Sequence, residues 1–138
     1  MVKAIDIDAV SEYICKEDRE LPEEEQTRWK LGVIDSLSLV KIDRCDVEFD
    51  PDSNEAKVTA DILGREMEYV RYGLKGWDNF KDKNGQEIKP RLNTLSKGGR
   101  IAEVLHDDCL RRIPKKIIVE LAQVLRGETE LSGAERKN

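Results

Sequence analysis

The residues able to do chemistry are few, and none completes a set. The only histidine, His106, stands three residues before a cysteine in His106-Asp107-Asp108-Cys109. On a helix the two share a face, where an imidazole can activate a thiol. No oxyanion-stabilising turn is readable beside them, and two further ligands at a zinc-binding spacing are missing. Asp50, Asp52, Asn54 and Asp61 fall near the spacing of a calcium-binding loop. There, however, Glu55 stands where that loop needs glycine, Asp61 replaces its bidentate glutamate, and both flanks read as strands. A plain hairpin turn is the expectation. Ser96-Lys97-Gly98-Gly99-Arg100 is basic and glycine-rich, but lacks the first glycine and the Gly-Lys-Ser/Thr order of a phosphate-binding P-loop. It reads as a flexible turn, with an anion-binding loop as the alternative. Cys15, Cys45 and Cys109 form no close pair, which argues against both a disulfide framework and a zinc knuckle and predicts buried thiols. The residues therefore predict no enzyme, no catalytic residue, no metal and no cofactor.

One cluster runs against its local setting. Pro114 suits the first position of a helix whose apolar stripe is Ile117, Ile118, Leu121, Val124 and Leu125, with Gly127 as the stop. Arg111, Arg112, Lys115 and Lys116 crowd the start of that helix, where the backbone dipole is already positive. Each exposed cation there is disfavoured by roughly 0.3–1 kcal/mol. Either Asp107 and Asp108 offset the charge, or the cluster awaits an anion or an acidic partner surface. These four residues are the candidate partner-binding site.

Charge is unevenly distributed over the 138 residues, which are 38% charged and 38% hydrophobic with a net charge of −5. Residues 1–60 hold 8 Lys/Arg against 16 Asp/Glu, whereas residues 71–116 hold 12 against 6. Opposed charge in one chain attracts unlike surfaces, including other copies of itself, or is simply two solvated faces. An overall acidic balance makes nucleic acid an unexpected partner. No apolar run approaches the roughly 20 residues of a membrane-spanning helix, and the N-terminus lacks a signal peptide's apolar stretch. An intracellular protein without a membrane contact is expected.

Taken in order, Lys3–Ile7 alternates like a strand, while Val10, Tyr13 and Ile14 could belong to a helix started at Asp8; both readings stay open. Pro22-Glu23-Glu24-Glu25 has the composition of a helical first turn. Thr27–Val33 reads as a strand anchored by Trp29. Leu37–Asp50 keeps strand character, with a bulge or join at Arg44-Cys45. Asp50–Asn54 is turn chemistry before a further alternating run, Lys57–Ile62, so an antiparallel hairpin is predicted. Met67, Val70, Leu74 and Trp77 recur at helical spacing and lead into Phe80, which predicts a core helix ended by Gly76 with Lys75 before it. Asn84-Gly85 marks a tight turn. Gln86–Asn93 reads as a loop, and the tail from Glu128 as frayed.

The predicted fold is α+β: a small antiparallel sheet from the first half of the chain, packed by two main helices, Met67–Gly76 and Pro114–Arg126. A single domain over 1–138 is expected, with a charged segment 1–26, a β-rich part 27–62, a mainly helical part 63–127 and a polar tail 128–138.

The run Val70-Arg71-Tyr72-Gly73-Leu74-Lys75-Gly76-Trp77-Asp78-Asn79-Phe80-Lys81-Asp82 carries a resemblance, together with Gly85, Arg112-Ile113-Pro114, Glu120-Leu121-Ala122, Leu131-Ser132 and Glu135-Arg136-Lys137-Asn138. Over most of its length the chain resembles a family of small phage-encoded proteins found among structural and tail genes, of the tail-assembly-chaperone type. The resemblance implies a non-enzymatic viral protein that binds phage structural or tail proteins during virion assembly, in the host cytoplasm or on the virion. It carries no catalytic residues. The alternative is a small phage protein that binds and modulates a host nucleic-acid-binding or defence protein through its acidic half.

Overall fold

A computed structural model describes residues 1–42, 46–50, 55–59, 62–97 and 100–130. Along the chain these form β1 (Val10–Tyr13), β2 (Arg28–Gly32), α1 (Ser36–Ile42), β3 (Asp46–Asp50), β4 (Glu55–Thr59), α2 (Ile62–Gly73), β5 (Leu74–Asp78), β6 (Leu92–Lys97), β7 (Arg100–Leu105), α3 (Asp107–Leu110) and α4 (Lys115–Glu130), with short 3₁₀ turns at Lys16–Asp18 and Glu23–Glu25. The fold is α+β. Among the described residues the strands make one three-stranded antiparallel sheet, β1-β2-β5, and two hairpins, β3-β4 and β6-β7. No described helix is long and apolar enough to cross a membrane.

The sheet departs from the sequence expectation in one instructive place. α2 stops at Gly73, and Leu74 and Trp77 lie on β5, not on the helix. Two residues three apart should face opposite sides of a strand. Here the register slips: Trp29 pairs with Trp77 and Lys30 with Gly76, but Leu31 pairs with Leu74. Lys75 is thus an extra residue, a bulge that returns Leu74 and Trp77 to one buried face. A bulged strand has imitated helical spacing.

Gly73, the last residue of α2, is needed for close packing. A Cβ there would lie 2.5 Å from Leu125 Cδ2, so its absence lets α2 close onto α4. The core gathers around that contact. Val70, Leu74, Leu105, Leu121 and Ala122 are all fully buried, and Trp29, Trp77 and Ile118 lie with them. Trp29, Trp77 and Phe80 meet with ring centroids 5.0–5.7 Å apart, in tilted or edge-to-face pairs. The Trp77 indole also donates to the Ile88 carbonyl at 2.6 Å, which satisfies its one polar atom.

Other expectations are corrected by local chemistry. Leu37–Ile42 is helix, not strand: Asp35 accepts from the Ser38 amide at 2.8 Å and the Ser38 hydroxyl at 3.2 Å, a cap that starts α1. Gly127 does not stop α4, which runs on to Glu130. Pro114 stands one residue before α4 and its carbonyl accepts from Ile117 and Ile118. The sheet draws on Leu74–Asp78 from the second half of the chain, and Leu92–Leu105 is a hairpin, so 63–127 is not mainly helical. Val10–Tyr13 is the N-terminal strand, whereas Lys3–Ile7 is not. The predicted antiparallel hairpin is present as β3-β4, with Asp50 paired to Glu55, but its second strand is Glu55–Thr59 and not Lys57–Ile62, since Ile62 begins α2. The hairpin turn (51–54), residues 60–61 with the last position of the calcium-like loop, the Arg44-Cys45 join, residues 98–99 and residues 131–138 lie outside the described residues.

Candidate functional site

The four cations do not behave as a unit. Lys116 reaches the N-terminal segment, where its Nζ lies 2.8 Å from the Glu17 carboxylate, which raises its pKa. Arg111 stands 3.7 Å from Asp108, beyond hydrogen-bond distance, with 73% of its side chain exposed. Arg112 and Lys115 are exposed, and among the described residues neither has an acidic partner. Of the two aspartates that could offset the cluster, Asp107 instead binds Arg71 of α2, which holds its carboxyl below the usual range. Asp108 is shared between Arg111 and Arg91, the latter at 3.8 Å. The offset is therefore partial: one cation is committed internally, one is loosely held and two face outward.

Arg91 is the residue that sequence reading missed. It precedes β6 and lies 20 residues from Arg111 in the chain, yet both line one open cleft of about 410 Å³ with Lys89, Arg112, Asp82, Glu87 and Asp108. Its position follows from the hairpin: the Arg91 carbonyl accepts from the His106 amide at 2.8 Å, extending the β6-β7 ladder to the start of α3. No spacing rule joins positions brought together by a hairpin and a helix turn.

The structure gives His106 and Cys109 separate structural roles. His106 Nδ1 accepts from the Asp108 amide at 3.0 Å, capping α3, and cannot hold a proton on that atom while it does so. Cys109 is buried, its thiol 3.7 Å from the Lys89 carbonyl. Cys15 is buried as well, and burial pushes its thiol up to about 12, which leaves it protonated and unreactive at neutral pH. Cys45 lies outside the described residues. Among the described residues, no group of three or more His, Cys, Asp or Glu could hold a metal.

Two further features were illegible. Glu120, on α4, accepts from the Tyr13 hydroxyl at 2.5 Å and the Lys16 amide at 2.9 Å, so it ties β1 and the following turn to the helix. A larger open cleft of about 470 Å³ lies where residues 7–10, residues 32–35 and β7 meet, with Lys75 in its lining. Burial pushes the Lys75 amine down, but its Nζ donates to the Tyr72 and Glu103 carbonyls at 2.9 Å each. Gly32 makes room for that side chain, since a Cβ there would meet Lys75 Cε at 2.9 Å. Lys75 thus plugs the junction between α2, β2 and β7.

An opposite charge is held just as firmly at the other end of β5. The exposed turn Glu23–Glu25 is fixed from behind by Asn79, whose side-chain amide donates to the Glu24 carbonyl at 2.9 Å and the Gln26 carbonyl at 3.1 Å. Asn79 has φ 65°, a left-handed conformation that asparagine tolerates better than most residues. Comparison with known proteins finds no family model, curated protein or solved structure that matches the chain.

Proposed function

We propose that the chain is a non-enzymatic protein-binding factor of phage tail assembly, which engages an acidic surface on a structural protein through Arg111, Arg112 and Lys115. The observation that carries this reading is that Arg112 and Lys115 are exposed with no acidic partner among the described residues, Lys115 in the first turn of α4, which disfavours positive charge, and Arg112 in the turn that joins α3 to α4. An acidic surface would relieve that repulsion and gain charge-assisted hydrogen bonds. The assembly setting, in the host cytoplasm or on the virion, rests on the resemblance of Val70–Asp82 and its companion motifs. Lys116 has its own intramolecular partner and contributes to folding more than to binding.

A second reading is favoured by the rigid acidic turn. Glu24 and Glu25 present carboxylates on a backbone pinned by Asn79, while Glu23 pairs with Arg28 at 3.0 Å, and this suits a basic surface such as that of a host nucleic-acid-binding protein. Affinity capture from phage-infected cells, followed by mass spectrometry, separates the two. Recovery of tail or other structural proteins, lost on reversal of Arg112 and Lys115, is the expected result. Recovery of a host protein alone, lost instead on reversal of Glu24 and Glu25, would overturn the assembly reading.

A further inference from the structure

Two neighbouring features share one unfilled requirement. β6 is an outer strand: among the described residues it pairs with β7 alone. Leu92-Asn93-Thr94-Leu95-Ser96 is exposed throughout, with Leu92 at 38% and Leu95 at 41%, and carries no charge in a chain that is 38% charged. Exposed strand edges present unpaired N–H and C=O groups, and proteins usually protect them with charges, proline or bulges. Within those five residues none of these protections is present. The same strand begins beside Arg91, which opens directly into the cleft shared with Arg111 and Arg112. Both Arg91 and Arg111 stand too far from Asp108 for a hydrogen bond.

We propose that β6 is an acceptor edge for an extended segment of a partner protein: four or five uncharged residues added antiparallel, then acidic residues that enter the Arg91, Arg111 and Arg112 cleft. The proposal rests on the reading of Arg111 and Arg112 as partner-binding and names what they bind. An antiparallel strand runs opposite to β6, so its C-terminal end arrives beside Leu92 and Arg91. Each extended residue advances about 3.3 Å, so two or three acidic residues span a cleft of this size. Main-chain hydrogen bonds along β6 supply affinity, and the arginines select the acidic end. A peptide fits better than a nucleic acid on two grounds. Only a peptide completes the N–H and C=O edge, and the uncharged run Leu92–Ser96 offers a phosphate backbone no cation.

The test uses the full chain and three fluorescein-labelled, C-terminally amidated peptides. One alternates Val and Thr over five residues and ends in three Glu. The second has Gln for Glu, and the third carries the Glu at its N-terminal end. By anisotropy the first should bind about tenfold more tightly than either control, as several weak ion pairs acting together allow. That advantage should vanish in Arg111→Glu/Arg112→Glu. Outward-facing amides of Leu92–Ser96 should exchange more slowly with the peptide bound. Equal binding of all three peptides overturns the proposal, as does binding without slowed exchange in β6. Protection of the same amides that rises with protein concentration alone would assign the edge to a second copy and overturn the partner segment. Protection by single-stranded DNA would do the same. If no peptide binds, yet partner capture still depends on Arg112 and Lys115, the β6 proposal falls and the assembly reading stands.

Discussion

Between Gly73 and Phe80 nearly every residue is spoken for by the fold; between Arg111 and Lys116 most of the charge is not. In the first stretch Gly73 admits Leu125, the Lys75 side chain covers Gly32, Trp77 fills the sheet face and Asn79 pins the acidic turn. In the second, only Ile113 is buried, and among the described residues only Lys116 has a close acidic partner. The contrast separates what the chain needs to fold from what it presents. A stretch whose side chains all have internal neighbours explains its own composition. A stretch whose charge is only partly offset among the described residues does not, and the proposed partner would supply the rest of its explanation.

If the first stretch is the structural centre, truncating it should do the most damage. Trp77→Ala removes a buried ring, its contacts with Trp29 and Phe80 and its hydrogen bond to Ile88. A loss of about 3–5 kcal/mol in urea unfolding is expected. A variant as stable as the parent would break the comparison at its strong end.

Asn79→Ala should cost less, about 1–3 kcal/mol, through two lost hydrogen bonds and a left-handed backbone that alanine resists. Asn79→Gly restores the backbone freedom but not the bonds, and should fall between the parent and alanine. If glycine were fully as stable as asparagine, the amide would not be pinning the acidic turn.

The Glu120 tie sharpens the comparison through pH. Tyr13 is pushed up to about 12 by burial and by the Glu120 carboxylate, which disfavours a second negative charge. The stability from this bond is fully present below about pH 10, the ordinary tyrosine value, and is lost as pH rises through about 12. Burial raises the Glu120 carboxyl, but the bonds from Tyr13, the Lys16 amide and Cys15 outweigh it and leave the pKa lowered. Its contribution is thus present above the ordinary carboxylate range and lost as pH falls through the lower native value. Tyr13→Phe should cost about 1 kcal/mol at neutral pH and flatten the alkaline loss of stability. An unchanged alkaline profile in that variant would remove Tyr13 from the tie.

Much of this was readable from local signals, and the failures have common causes. The α+β class, the β2 strand at Trp29, the β3-β4 hairpin, the turn at Gly85 with φ 82° and the amphipathic face of α4 all follow from period, turn residues and burial. The bulge at Lys75 was unreadable because it depends on β2, more than 40 residues away, and it converted a strand into apparent helical spacing. The α1 cap was available in Asp35 and Ser38, but the apolar alternation after it competed with that signal; Leu37 and Val40 in fact face solvent, at 63% and 74% exposure. At the candidate site, the dipole argument singled out Arg111, Arg112, Lys115 and Lys116, but only Lys115 and Lys116 lie in the first turn of α4, while Arg111 and Arg112 follow the end of α3. Which of them are committed depended on Glu17, Arg71 and Arg91, and tertiary pairing of exposed charges leaves no mark in sequence spacing.

The central claim is that Arg112 and Lys115 serve a partner and not the fold. Arg112→Glu/Lys115→Glu tests it in one preparation, measured for unfolding in urea and for partner capture from phage-infected cells. Stability within about 0.5 kcal/mol of the parent is expected, as for surface changes away from packed or paired groups, with any gain coming from the dipole. Capture should fall sharply, and the parent's own capture should weaken as salt is raised. Undiminished recovery of the same partners by the folded variant would contradict the claim and return these cations to the solvated surface.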